Sequence, residues 1–230
     1  EACAQFAIDL GINIPTGKDS LSMKQRYPNE DVISPGTVII SSVGNCSDIS
    51  NVVEPVLQKG GGGIYYINLS QDDYQLGGSS FAQVLAKVGQ EVPDIKNPTA
   101  FRTAFDTIQE LIGKNLIQAG HDIGSGGLIT TLLEMCFAEQ NLAADIDLTA
   151  LAELDSTKVL FAENIALVFQ ASKEAEAILE AANVPYHKIG SVSSGEALTV
   201  QNHQEELNFN IPQLRDIWYK TSYLFDTHQS

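Results

Sequence analysis

The sequence predicts an α/β (α+β) chain. Two observations carry that expectation. The runs "GTVIISSVGN" (Gly36 to Asn45), "IYYINL", "ADIDL" and "NIALVFQA" are rich in β-branched and other apolar residues and read as strands. Between and around them lie segments whose apolar residues recur at helical spacing.

In chain order, "ACAQFAIDLGI" reads as a helix stopping at Gly11, and "INIP" as a short extended piece. The run from Gly36 to Asn45 reads as a buried strand. Gly60 to Gly63 read as a turn feeding "IYYINL", since neither a G-x-G-x-x-G nor a G-K-[ST] pattern follows and no helix opens there. A domain boundary is expected nearby, around residues 54 to 60. Ser79 to Val88 is expected to form a short helix after "LGGS". Asn97-Pro98 supplies a cap and first turn for a helix with Phe101, Ala104, Phe105, Ile108, Leu111 and Ile112 on one face. Another helix starts near Gly127 and carries Leu128, Leu132, Leu133 and Met135. Ser172 is expected to cap a helix, and "YHKIGSVSSGEALTV" to form a hairpin with a Ser-Ser-Gly turn. "IPQLRDIWYKTSYLF" reads as an amphipathic helix whose Trp218 docks on a neighbour.

The 230 residues are 43% hydrophobic, enough for a sizeable core. The net charge of −16 argues against nucleic-acid binding by phosphate neutralisation. Cys3, Cys46 and Cys136 are widely spaced, with no C-x-x-C pair and no zinc-like Cys/His cluster, which suits free thiols in a reducing cytoplasm. Cys136 lies on a helix face and reads as core. No signal peptide or run of membrane-spanning length is seen, so no membrane partner is expected. The start at Glu1 and the end after His228 read as those of a piece of a longer polypeptide.

Four segments could carry chemistry. "GKDSLSM" (Gly17 to Met23) suits an anion but lacks the spacing of a phosphate loop. "LGGSS" (Leu76 to Ser80) places glycines and hydroxyls at a helix start, as an anion site or as an ordinary capped turn. "HDIGSGGL" (His121 to Leu128) sets Asp122 beside close-approaching backbone; the carboxylate either joins a phosphate in holding Mg²⁺ or caps the turn. Glu163 of "LFAEN" faces a site or pairs with a base on the surface, and residue statistics favour the surface. His187, His203 and His228 are given no role.

The order of these segments is more specific than any one of them. An opening "LGI…P-x-GKDSLSM" is followed by "LGGS-x-x-A-Q", "HD…GGL…LLEM-x-FA", "LF-x-E" and "LR-x-I-W…TSY". Over essentially all 230 residues this resembles the second synthetase half of the large, single-chain phosphoribosylformylglycinamidine synthases of de novo purine synthesis. The resemblance implies an aminoimidazole-ribonucleotide-synthetase-like fold. Residues 1–55 would be the trailing part of an N-terminal domain that pairs with a partner domain through its sheet. Residues 56–212 would form a C-terminal domain of helices on a mixed sheet. Residues 213–230 would begin a linker toward a glutaminase domain.

The implied activity is that of an ATP-dependent C–N ligase with glutamine as amide donor. It converts formylglycinamide ribonucleotide, glutamine and ATP to formylglycinamidine ribonucleotide, ADP, phosphate and glutamate. Phosphorylation turns the amide oxygen into a leaving group that ammonia displaces. Mg²⁺ and ATP are the implied cofactors, with ADP at an auxiliary site. The implied partners are the first synthetase half and the glutaminase domain of the same polypeptide. On the same grounds Gly17, Lys18, Asp19 and Ser20 match a substrate-binding loop, Ser20 touching substrate and Lys18 facing a phosphate. Asp122 matches the first, Mg²⁺-binding Asp of the family's HDRSDGGL. The present "HDIGSGGL" departs from it: Gly124 stands for Ser, and Ser125 for the second Asp. Ser125 would then have to supply the nucleotide-binding hydroxyl, and the auxiliary site is expected to be incomplete in this chain.

Three readings follow: an inactive piece of the ligase, a non-catalytic module stabilised by bound nucleotide, or a stand-alone kinase or selenophosphate synthetase of the same fold. The last lacks an N-terminal metal segment and a reactive Cys near a Gly-rich start. A shortened N-terminal domain is also expected to expose apolar surface and to self-associate through residues 1–55.

Overall fold

The computed structural model describes residues 2–18, 23–34, 37–46 and 48–229. The chain forms two compact units, Glu1–Ser50 and Asn51–Ser230.

In the first unit, helix α1 (Ala2–Leu10) ends as expected at Gly11, which adopts φ 70° and bonds back to the Ile8 carbonyl. Strands β1 (Lys24–Arg26) and β2 (Asp31–Ile33) pair antiparallel, with Asp31 near both Lys24 and Arg26. Residues 37–46 form no strand, which corrects the reading of that run; Gly36 lies outside the described residues. Strands are held by neighbours, and β1–β2 is the only ladder among the described residues of this unit. Val38, Ile39, Ile40 and Val43 are 65–101% exposed, so no burial offsets the entropy of ordering them.

The second unit is built on a seven-stranded mixed sheet. Its strands are β3 (Gly63–Asn68), β4 (Ile117–Asp122), β5 (Ala143–Asp147), β6 (Ala166–Ala171), β7 (His187–Ser193), β8 (Ala197–Asn202) and β9 (Glu205–Asn210). They lie in the order β4-β6-β3-β7-β5-β8-β9, antiparallel except for β5–β8. The expected hairpin of residues 186–200 is therefore not formed. β5 lies between β7 and β8 and pairs with both. The hairpin in this region is β8–β9, closed at His203 with φ 51°.

Side chains alternate across β3. Ile64 and Tyr66 join a core with helices α4 (Gly127–Phe137) and α5 (Ser156–Phe161). Tyr65 and Ile67 join a second core with α3 (Pro98–Gly113) and α6 (Glu174–Ala181). The sheet is thus covered by helices on both faces.

Asn97 caps α3 through its side-chain oxygen, with Pro98 at the first turn. Ala104, Ile108 and Leu111 are buried, but Phe105 is 48% exposed and borders a groove with Ile112 and Ile165. Helix α2 (Ser80–Val84) is shorter than expected, because Ala86 turns into the left-handed region at φ 54°. The cap of α6 is Lys173, not Ser172, whose hydroxyl donates to Glu174 instead. Helix α7 (Ile211–Gln229) packs on α4, and Trp218 docks there as the pattern suggested. No described helix is long and apolar enough to cross a membrane.

Candidate functional site

β4 delivers His121 and Asp122 to a turn that opens α4. The turn needs glycine at two places for different reasons. Gly126 and Gly127 sit at φ 90° and 73°, and a Cβ on Gly127 would come within 2.6 Å of the Leu160 carbonyl. A Cβ on Gly124 would meet open space.

The "LGGSS" turn lies before α2. Gly77 N–H donates to Glu91 O, Gly78 N–H to Val88 O and Ser79 N–H to Leu76 O. Ser79 Oγ accepts from Ala82 N–H as the helix cap. The next donor, Ser80 N–H, reaches Glu163 Oε1 at 2.7 Å. All four N–H groups are therefore satisfied inside the protein, which selects the capped turn over an open anion cradle.

Glu163 joins the two turns. The same oxygen, Oε1, also accepts from Gly126 N–H at 2.8 Å. A half-buried carboxylate thus holds the start of α2 and the start of α4 at one point. This overturns the surface-pairing reading of Glu163. Its neighbour Asn164 is buried and donates to Ser70 Oγ and to the carbonyls of Asp72 and Asp73, which anchors the segment.

Asp122 and Ser125 are exposed beside this clamp. Asp122 Oδ1 lies 3.3 Å from His121 Nδ1, and its backbone oxygen accepts from Thr131 Oγ1. Gly124 and Ser125 N–H donate to no acceptor among the described residues, so the open donors of the turn sit next to Asp122. The residues present do not complete a Mg²⁺ site. No group of three or more His, Cys, Asp or Glu side chains among the described residues could hold a metal, and Asp122 alone falls short of the oxygen set such an ion takes.

Gly17 and Lys18 are exposed in the first unit, in a stretch without regular structure, while Asp19 and Ser20 lie outside the described residues. Cys136 is fully buried, and desolvation pushes its thiol up to about 12, as suits a core residue.

Known proteins align along the whole chain. Probable phosphoribosylformylglycinamidine synthase, chloroplastic/mitochondrial, of Arabidopsis thaliana is 37% identical over 235 residues, covering 99% of this chain and 17% of its own length. The Homo sapiens phosphoribosylformylglycinamidine synthase is 33% identical and covers 100% of this chain. The chain spans 17–18% of the length of these relatives. Among solved structures, T. maritima PurL complexed with ATP superposes on 73% of this chain and 28% of its own, with a TM-score of 0.55 at 17% identity. Phosphoribosylformylglycinamidine synthase II from Thermotoga maritima gives a TM-score of 0.56 at 15% identity, covering 73% of this chain and 28% of its own. At such identities the likeness shows the fold: an aminoimidazole-ribonucleotide-synthetase-like architecture. Residues 1–45 match the FGAR-AT PurM N-like domain. Residues 63–202, more than half of the chain, match the model "AIR synthase related protein, C-terminal domain", and the chain belongs to that family.

Proposed function

We propose that this chain is part of an ATP-dependent C–N ligase that makes formylglycinamidine ribonucleotide from formylglycinamide ribonucleotide, glutamine and ATP in purine biosynthesis. The supporting observation is the Glu163 clamp. It brings together two turns that are far apart in sequence and that both belong to the segment order on which the family resemblance rests. Beside it stand the open donors at Gly124 and Ser125 and the Asp122 carboxylate.

Ser125 is the nucleotide-side residue of this reading. Asp122 contributes one Mg²⁺ ligand, and Gly17, Lys18, Asp19 and Ser20 line the substrate. The remaining metal ligands, the ammonia source and the first synthetase half come from other parts of a longer polypeptide, so the 230 residues alone are inactive. ATP is proposed as the nucleotide because T. maritima PurL has been solved with ATP and with ADP.

The test is complementation of a purine-requiring strain with the full-length protein. Lys18→Ala and Ser20→Ala are expected to abolish synthetase activity while glutamine hydrolysis persists. Normal turnover in both variants removes the loop from the site.

A second reading is a module that a bound auxiliary nucleotide stabilises; the open N–H groups next to Asp122 favour it. It fails if Asp122→Asn changes neither nucleotide content nor stability. The three free thiols suit a reducing compartment, and a cytoplasmic location is part of this reading. The exposed apolar residues from Val38 to Val43 support self-association through residues 1–55. Sedimentation should show Val43→Asp weakening it, and a strictly monomeric wild type would contradict it.

A further inference from the structure

Trp218 is the single tryptophan of the chain. Its indole N–H donates to Glu134 Oε1 at 2.8 Å, and its ring packs on Phe137 with centroids 5.8 Å apart. Both partners lie on α4. The second oxygen of Glu134 lies 3.6 Å from His121 Nε2. On the far side of the ring, His121 Nδ1 sits 2.7 Å from the Asp122 backbone oxygen. A carbonyl oxygen only accepts, so Nδ1 carries the proton there.

These contacts run from α7 through α4 to the end of β4, all inside the second unit. His121, Glu134 and Trp218 also border one open pocket of about 620 Å³, lined as well by Pro55, Val56 and Arg215. His121 and Glu134 are each only 27–28% exposed at the side chain, so both are held by their surroundings.

We infer that His121 is a positioning residue that ties the seating of α7 to the conformation of Asp122 and its turn. The bond from Nδ1 holds the peptide after Asp122 together with the Thr131 hydroxyl on the same oxygen and the Ile123 N–H bond to the Ala166 carbonyl, and that peptide sets the course of the backbone into Gly124. A change in that plane turns the imidazole, shifts Glu134 and alters the acceptor of the Trp218 indole. A ligand favouring one geometry of the turn therefore also favours one seating of α7. The functional consequence rests on the reading of Asp122 as a ligand-side residue; the coupling itself does not.

The experiment uses the whole ¹⁵N-labelled chain, whose ¹H–¹⁵N spectrum contains one indole resonance. Asp122→Asn, which alters the carboxylate 3.3 Å from the same His121 Nδ1, is expected to shift that resonance beyond the change caused by the control Glu110→Gln on α3. The shift is expected to disappear when Asp122→Asn is made in a Glu134→Gln or His121→Phe background. An unmoved resonance in Asp122→Asn, or a shift that survives both backgrounds, overturns the inference and leaves Trp218 a mere docking residue. Adding Mg–ATP separates the two readings. A saturable shift in the wild type supports both. No response to Mg–ATP, together with the Asp122→Asn shift, sinks nucleotide binding by this chain while supporting the coupling.

Discussion

Removing the Glu163 carboxylate should release two turns at once. Its Oε1 accepts from Ser80 N–H at 2.7 Å and from Gly126 N–H at 2.8 Å. Hydrogen bonds to a charged group contribute about 1.5–3 kcal/mol each. The carboxylate and both donors are half-buried, so water replaces part of what is lost and the lower end applies. Glu163→Ala is therefore expected to cost about 3 kcal/mol. Glu163→Gln keeps an acceptor oxygen for both N–H groups without the charge. Neutral bonds contribute about 1 kcal/mol each, so that variant should lose only about 1 kcal/mol in total. Urea unfolding followed by Trp218 emission reports the second unit, where that residue lies. With a slope of about 2 kcal/mol per molar urea, Glu163→Ala should lower the midpoint by about 1.5 M. Native-state exchange of the Ser80 and Gly126 amides should quicken in the same variant. A midpoint within about 0.25 M of wild type, which is about 0.5 kcal/mol and the range of an ordinary surface substitution, would show that the clamp holds nothing.

Further expectations concern other parts of the chain. Gly124→Ser should leave stability within about 0.5 kcal/mol of wild type, since its side chain enters open space. Gly127→Ala should cost about 1–2 kcal/mol for its backbone angle and about 1–3 kcal/mol more for the clash with residues 160–161; similar melting curves for the two variants would contradict the geometry. A thiol reagent should modify Cys3 and Cys46 in the native chain and reach buried Cys136 only after denaturation. Burial lowers the His187 imidazole pKa below its ordinary value, so the unfolded chain protonates first as pH falls. The unfolded state then binds more protons and stability drops as pH falls through the ordinary imidazole range. Unfolding midpoints of His187→Gln should decline less on acidification, and an equal decline in both proteins would remove His187 as a contributor.

What could be read from the sequence was local. Asn97-Pro98 announced α3 because cap and first turn are neighbours in sequence, and Gly11 announced the end of α1 for the same reason. β3 and β6 were legible because each is an apolar run bounded by turns. The hairpin of residues 186–200 was misread because its competitor, β5, lies more than forty residues earlier, and no local pattern reveals an inserted strand. The run from Gly36 to Asn45 has strand composition, but a ladder requires a neighbour that the described part of the first unit does not supply. Among the candidate residues, Asp122 and Ser125 were proposed from their place in a motif. Glu163 was seen but put on the surface, because its partners Ser80 and Gly126 lie 83 and 37 residues away. Its one local signal is Asn164, a polar neighbour at the mouth of an apolar strand. The closed state of the "LGGSS" donors was equally hidden, since their acceptors include Val88, Glu91 and Glu163.

The strand order also constrains how the chain is made. β3 is buried between β6 and β7, so its two edges wait for residues 166–171 and 187–193. A ribosome will have released "IYYINL" more than a hundred residues before its second neighbour emerges. At roughly 5–20 residues per second that interval lasts several seconds. During it the apolar strand has no finished sheet to join. A premature stop anywhere before His187 leaves the same strand with an open edge for good, and such truncated products are expected in inclusion bodies or bound to chaperones.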